Sequence, residues 1–138
     1  MKLLITICIF FLYSCSSNSN ELEEEIQTIQ LQNFGGSGEC SNWVKLSDVV
    51  KFNNVSDRLF EHLIVIESSN PNQLLPDTLG KSYDIIKFTG RFYKNNYGYS
   101  KTCRNRAGIE KGRIFNYTAY EVIKSHYHDY EAGATHEK

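Results

Sequence analysis

Asp84-Ile85-Ile86-Lys87-Phe88-Thr89-Gly90-Arg91-Phe92-Tyr93 alternates apolar or small residues with polar ones, and this alternation decides the fold. Successive side chains of an extended strand point to opposite faces. Ile86, Phe88, Gly90 and Phe92 therefore share one face, with Lys87, Thr89 and Arg91 on the other. A strand with one apolar and one polar face belongs to a sheet covered on one side only. Gly90 falls on the apolar side, where it has nothing to pack. It marks a bulge or sharp bend, the device by which barrels turn corners.

The runs on either side point the same way. Phe60 to Glu67 is a β-branched run that ends at Ser68-Ser69-Asn70-Pro71-Asn72, a strong loop signal. Arg113 to Lys124 is strongly β-forming by composition. Trp43 to Phe52 is open between a strand and a short helix capped by Ser47. The 138 residues allow one domain, and no period of 20–50 residues repeats. The expected fold class is mainly β, a small antiparallel barrel or sandwich.

The N-terminus addresses the compartment. Met1-Lys2 precedes an apolar run from Leu3 to Tyr13, eleven residues that as a helix span about 16 Å of a ~30 Å hydrocarbon core. That is too short to cross a bilayer and fits the apolar segment of a secretory signal. The run closes on Leu12-Tyr13-Ser14-Cys15, which resembles the lipobox of bacterial lipoprotein signal peptides, with Tyr13 standing where a smaller residue is usual. The resemblance implies that the Cys15 thiol takes the lipid and that cleavage leaves acylated Cys15 as the new N-terminus. Residues 1–14 are then the signal peptide.

Ser16 to Asn20 is a polar Ser/Asn run, followed by Glu21, Glu23, Glu24 and Glu25. Gly35-Gly36-Ser37-Gly38 comes next. Residues 15–39 are thus expected to form a lipidated, flexible, acidic and Gly/Ser-rich tether. The acidic patch resembles the surface-export signals of some Bacteroidota lipoproteins. Ile26, Ile29 and Leu31 behind it allow at most a short amphipathic helix. A single globular domain is expected over 40–131, and a polar tail over 132–138.

Cys40 and Cys103 are the thiols left once Cys8 is removed and Cys15 acylated. In an oxidising envelope they are expected to form a disulfide. Without a C-x-x-C pair, redox catalysis has no sequence support.

Leu74-Leu75-Pro76-Asp77-Thr78-Leu79 leading into Ile85 to Tyr93 resembles small OB-like envelope lipoproteins of Bacteroidota, in which a leucine-proline loop precedes a V-x-F-x-G strand. The resemblance spans about 50 residues. It implies a small OB-like barrel in the cell envelope, lipid-anchored and in the outer membrane on its periplasmic or surface face, and it carries no catalytic residues over.

Charge is unevenly placed. From Arg91 to Arg113 there are seven bases (Arg91, Lys94, Lys101, Arg104, Arg106, Lys111, Arg113) against Glu110, a local charge of +6. The rest of the chain after Ser14 has seven bases and fifteen acids, a charge of −8. Phe92, Tyr93, Tyr97, Tyr99 and Phe115 interleave with these bases. Asn95, Asn96, Gly98, Gly108 and Gly112 mark a long loop. Such a loop can hold anions by charge and hydrogen bonds while its rings stack on flat ligand faces. Arg91, Lys94, Lys101, Arg104, Arg106 and Arg113, with Tyr97 and Tyr99, are the candidate anion-binding residues. In an envelope the partner would be an anionic glycan, a lipid phosphate or an acidic protein rather than nucleic acid.

Recognisable catalytic and metal patterns are missing. Gly80-Lys81-Ser82 lacks the first glycine of a P-loop, since Leu75 stands there, and it runs into a strand. His126 and His128 flank Tyr127 and could share one face of a strand, but two ligands make only a fragment of a metal site, which His62 or a carboxylate would have to complete. G-x-S-x-G and H-E-x-x-H do not occur. The expectation is a membrane-anchored, non-enzymatic binding module with no cofactor. An inhibitor or immunity-type lipoprotein acting through a protein interface, and a structural envelope protein, are the alternatives.

Overall fold

The computed structural model describes residues 20–81 and 83–125. Five strands form a closed barrel: β1 (Gln27–Ser37), β2 (Cys40–Lys45), β3 (Ile64–Ser68), β4 (Ile85–Gly98) and β5 (Gly112–Lys124), in the spatial order β1-β2-β3-β5-β4. All pairs are antiparallel except β3 with β5, and β1 against β4 closes the ring. This is a small OB-like barrel, and closure decides between the barrel and the sandwich. Two short helices, α1 (Leu46–Lys51) and α2 (Ser56–Phe60), fill the β2–β3 connection.

β4 follows the alternation that the sequence predicts: Ile86, Phe88, Gly90 and Phe92 are buried, and the residues between them only half so. Its register against β5 shifts at Thr89/Gly90. A Cβ on Gly90 would stand 2.1 Å from the Asn116 carbonyl oxygen and 2.7 Å from Tyr117 Cα, so only a glycine lets β5 cross this close. β1 bends at its own irregularity between Asn33 and Gly35. Its first half pairs with β4 and its second half with β2, which is what joins the two edges.

Leu31, Trp43, Ile64, Ile66, Leu75, Ile86, Phe88, Phe92, Phe115 and Tyr117 fill the interior. Edge-on ring pairs run through it, Trp43 on Phe88 at 5.4 Å and Phe92 on Phe115 at 4.9 Å. Each such side chain removed from water contributes on the order of 2 kcal/mol. The buried Trp43 indole donates to Ser41 Oγ at 2.7 Å, so its N–H is not left bare. A second cluster of Val44, Leu59 and Leu63, backed by Phe34, Val49 and Phe52, seats the helices on the outside of the barrel.

Several sequence expectations are corrected. The segment 15–39 is not a tether throughout, because β1 occupies Gln27–Ser37 and the domain begins well before Cys40. Ile29 and Leu31 turn inward between glutamines, a strand pattern hidden behind the acidic patch. The glycines that read as a linker build the β1–β2 hairpin instead, with Gly36 at φ 81° and Gly38 at φ 54°. The 91–113 segment is not one long loop: β4 continues to Gly98 and β5 starts at Gly112, leaving 99–111 as the connection. The β-branched run starts as a strand only at Ile64, because Phe60 closes α2. The ambiguous stretch divides into β2 and α1, with Lys45 at the helix cap and no side-chain cap bond from Ser47.

Candidate functional site

The β4–β5 connection, residues 99–111, lies across the barrel end where the β1–β2 hairpin turns. Three ties hold it to the barrel, and one hydrogen bond lies within the loop itself. The Cys40–Cys103 disulfide joins it to the first residue of β2, with Cα atoms 4.7 Å apart. The buried Glu67 carboxylate accepts the Lys101 backbone N–H at 3.0 Å and, through its other oxygen, the Tyr93 hydroxyl. Asn42 acts as a strand partner for Glu110: its amide donates to the Glu110 carbonyl at 2.8 Å, and its oxygen accepts the Glu110 N–H at 2.9 Å. Ser100 and Thr102 hydroxyls bond each other at 2.8 Å. A basic segment that the sequence presents as a loop is thus a braced one.

Between this loop, the hairpin and the β3–β4 connection opens a cleft of about 800 Å³. Thr102, Arg104, Asn105 and Ile109 line it from the loop, Lys81 and Asp77 from the β3–β4 side, and Glu39 from the hairpin. Glu39 is buried. Its carboxylate accepts the Tyr117 hydroxyl at 3.0 Å and the Ser68 N–H at 3.2 Å. Burial pushes the Glu39 carboxyl above its ordinary range, opposed by these hydrogen bonds. Burial and the neighbouring carboxylates likewise push the Tyr93 and Tyr117 phenols far up, so both remain protonated donors.

The candidate anion-binding residues separate into three sets. Lys94 and Arg113 are engaged by the acidic segment ahead of β1. Lys94 Nζ donates to Glu21 at 2.7 Å, and Arg113 donates to Glu23 at 3.2 Å. Glu21 accordingly holds the Lys94 ammonium pKa up. The backbone reinforces this contact, for Leu22 bridges Tyr93, Glu23 N–H donates to the Phe92 carbonyl, and Lys94 N–H donates to the Glu21 carbonyl. Arg113 also lies over the Phe92 ring at 4.0 Å.

The second set, Lys101, Arg104, Arg106 and Tyr99, lies on the loop together with Lys111, a base outside the candidate set. Arg106 and Lys111 flank Tyr99 at 4.9 and 5.8 Å from the ring centre, Arg104 lines the cleft, and Lys101 Nζ donates to the Asn20 side-chain oxygen at 2.7 Å. Among the described residues none of these four cations is in a salt bridge. The third set stands apart on the strands: Arg91 pairs in register with Asn116, and Tyr97, exposed, pairs with Arg113. The eight residues therefore do not converge on one point.

Sequence reading missed Glu39 and Glu67, the carboxylates that organise the cleft floor and the loop. Glu67 carries a signal in retrospect, an acid that directly follows the apolar stretch Leu63 to Ile66. Cys15, His126 and His128 lie outside the described residues. His62 stacks on Phe52 instead of reaching toward a site. Among the described residues no three His, Cys, Asp or Glu side chains are grouped to hold a metal ion. No protein-family model matches the chain, and searches of curated proteins and of solved structures give no match.

Proposed function

We propose that the protein is an envelope lipoprotein, anchored through acylated Cys15 after loss of residues 1–14, that binds an anionic partner on the braced loop and catalyses no reaction. The observation that carries this reading is the presentation of Arg104, Arg106 and Lys111, outside any salt bridge among the described residues, on a disulfide-fastened loop beside an 800 Å³ cleft. A guanidinium offers a planar fork of N–H donors that matches phosphate or carboxylate oxygens. Tyr99, already flanked by two cations, adds a flat face for a sugar ring. On OB-like barrels the β1–β2 and β4–β5 loops are where oligosaccharides and oligonucleotides bind, and here the disulfide fastens the β4–β5 loop beside the β1–β2 turn, at the first residue of β2.

Because the loop is held before a ligand arrives, binding costs little ordering entropy. Several acyl chains on one residue give stable membrane attachment where a single chain would not. The test is capture from detergent-solubilised envelopes, with glycolipids and proteins identified together by mass spectrometry. Expected is a phosphorylated or acidic glycan ligand whose capture falls between about 0.05 and 0.5 M salt and weakens in Arg104→Ala/Arg106→Ala. Salt-independent capture, or capture unchanged by that double substitution, overturns the reading.

A further inference from the structure

We infer that the loop 99–111 faces the membrane in which the anchor sits, and that its partner is the phosphate of that membrane's anionic lipid headgroups. The inference rests on the lipid-anchored reading and deepens it. Its geometric basis is where the chain enters the barrel. Asn20 accepts from Lys101 Nζ, Glu21 pairs with Lys94, and Glu23 pairs with Arg113, so residues 20–23 are stitched to the base of the loop and the strands that flank it. Cys15 precedes Asn20 by five residues, and five residues reach at most about 18 Å whatever their arrangement. An acyl group on Cys15 thus cannot carry the barrel far from the bilayer, and the part of the barrel nearest the attachment is the basic loop.

A tether docked at another edge would leave the loop free to face the aqueous side. Here two ion pairs, two backbone hydrogen bonds and the Lys101–Asn20 bond set the attachment on the loop's own face. Glu21 and Glu23 spend their charge on Lys94 and Arg113. Within 99–111 four bases, Lys101, Arg104, Arg106 and Lys111, then stand against Glu110. Glu24 and Glu25 lower the net charge of the neighbourhood, so the arginine forks add directed contacts to the charge attraction. The acidic segment acquires a second role in this arrangement, as the clasp that orients the barrel.

The experiment uses the acylated protein reconstituted into vesicles of phosphatidylcholine alone, or with about a third phosphatidylglycerol, followed by amide hydrogen exchange. Expected is exchange over 99–111 slowed roughly fivefold or more on the phosphatidylglycerol vesicles, a change equivalent to about one lysine or arginine at an anionic surface. Arg104→Ala/Arg106→Ala, whose fold is checked by circular dichroism, is expected to abolish the slowing. Equal exchange on both vesicles overturns the inference. If a soluble acidic polysaccharide slows exchange where phosphatidylglycerol does not, the inference falls and the anion-binding reading stands. If neither slows it, both fall. An intact mass without acyl chains removes the anchor and the inference with it.

Discussion

Breaking the Cys40–Cys103 bond should destabilise the protein by an amount that can be worked out beforehand. The two residues are 63 positions apart, so the bond closes β2, both helices, β3 and β4 into one covalent loop. The chain-entropy relation for a loop of that length gives about 4 kcal/mol at 25 °C, arising in the unfolded state. The folded loop has other ties that survive reduction: Lys101 N–H on Glu67, and the paired bonds between Asn42 and Glu110. The reduced barrel should therefore keep its shape while losing stability. With a urea dependence of about 1.5 kcal/mol/M, the unfolding midpoint falls by about 3 M. Trp43, fully buried and packed edge-on against Phe88, is the natural fluorescence reporter. Comparing oxidised protein, reduced protein and Cys40→Ala/Cys103→Ala separates the cross-link from the packing of the sulfur atoms. A midpoint shift under about 0.7 M, near 1 kcal/mol, would refute the reasoning. It would mean that the unfolded chain is already confined or that the side-chain ties alone hold the loop.

Two further substitutions probe the fold and its ionisation. Gly90→Ala puts a methyl carbon 2.1 Å from the Asn116 carbonyl oxygen, which belongs to backbone and cannot rotate away. It should cost about 3 kcal/mol or prevent folding, whereas Gly35→Ala, with open space around it, should stay within about 0.5 kcal/mol. Similar urea midpoints for the two variants would disprove the close crossing of β4 and β5. Glu39→Gln tests the buried carboxylate. Because the folded-state pKa is raised above 4.5, the folded chain keeps a proton that the unfolded chain has already released. Wild-type stability therefore falls as pH rises from the unfolded value through the folded one, and the Gln variant should lack that fall. Midpoints recorded from pH ~4 to ~7.5 that run parallel for the two proteins would rule the mechanism out.

How far the sequence could be read depended on whether a signal was local. The β4 alternation and the glycine that breaks it were legible, because strand periodicity shows within ten residues. So was the cysteine pair, from the small number of thiols and the expectation of an oxidising envelope. β1 was not legible: its glutamines and its Gly-rich end suit a linker as well as a strand. Only the partners β2 and β4 decide between them. The basic segment was visible as composition. Its division into a clasped set, Lys94 and Arg113, and a set on the loop was not visible, because Glu21 and Glu23 lie some 70 to 90 positions away in the chain.

By itself the sequence determined the strand-forming runs of β3, β4 and β5, the corner at Gly90 and the unequal placement of charge, all of them properties of neighbouring residues. Tertiary structure alone decided that the sheet closes, that β3 and β5 run parallel, and that a supposed tether contributes a barrel strand. It alone placed Glu39 and Glu67 beneath the loop. The physical reason is common to all four. Closure, parallel pairing and the burial of a carboxylate are each favourable only when segments far apart in sequence meet, and no local pattern records that meeting.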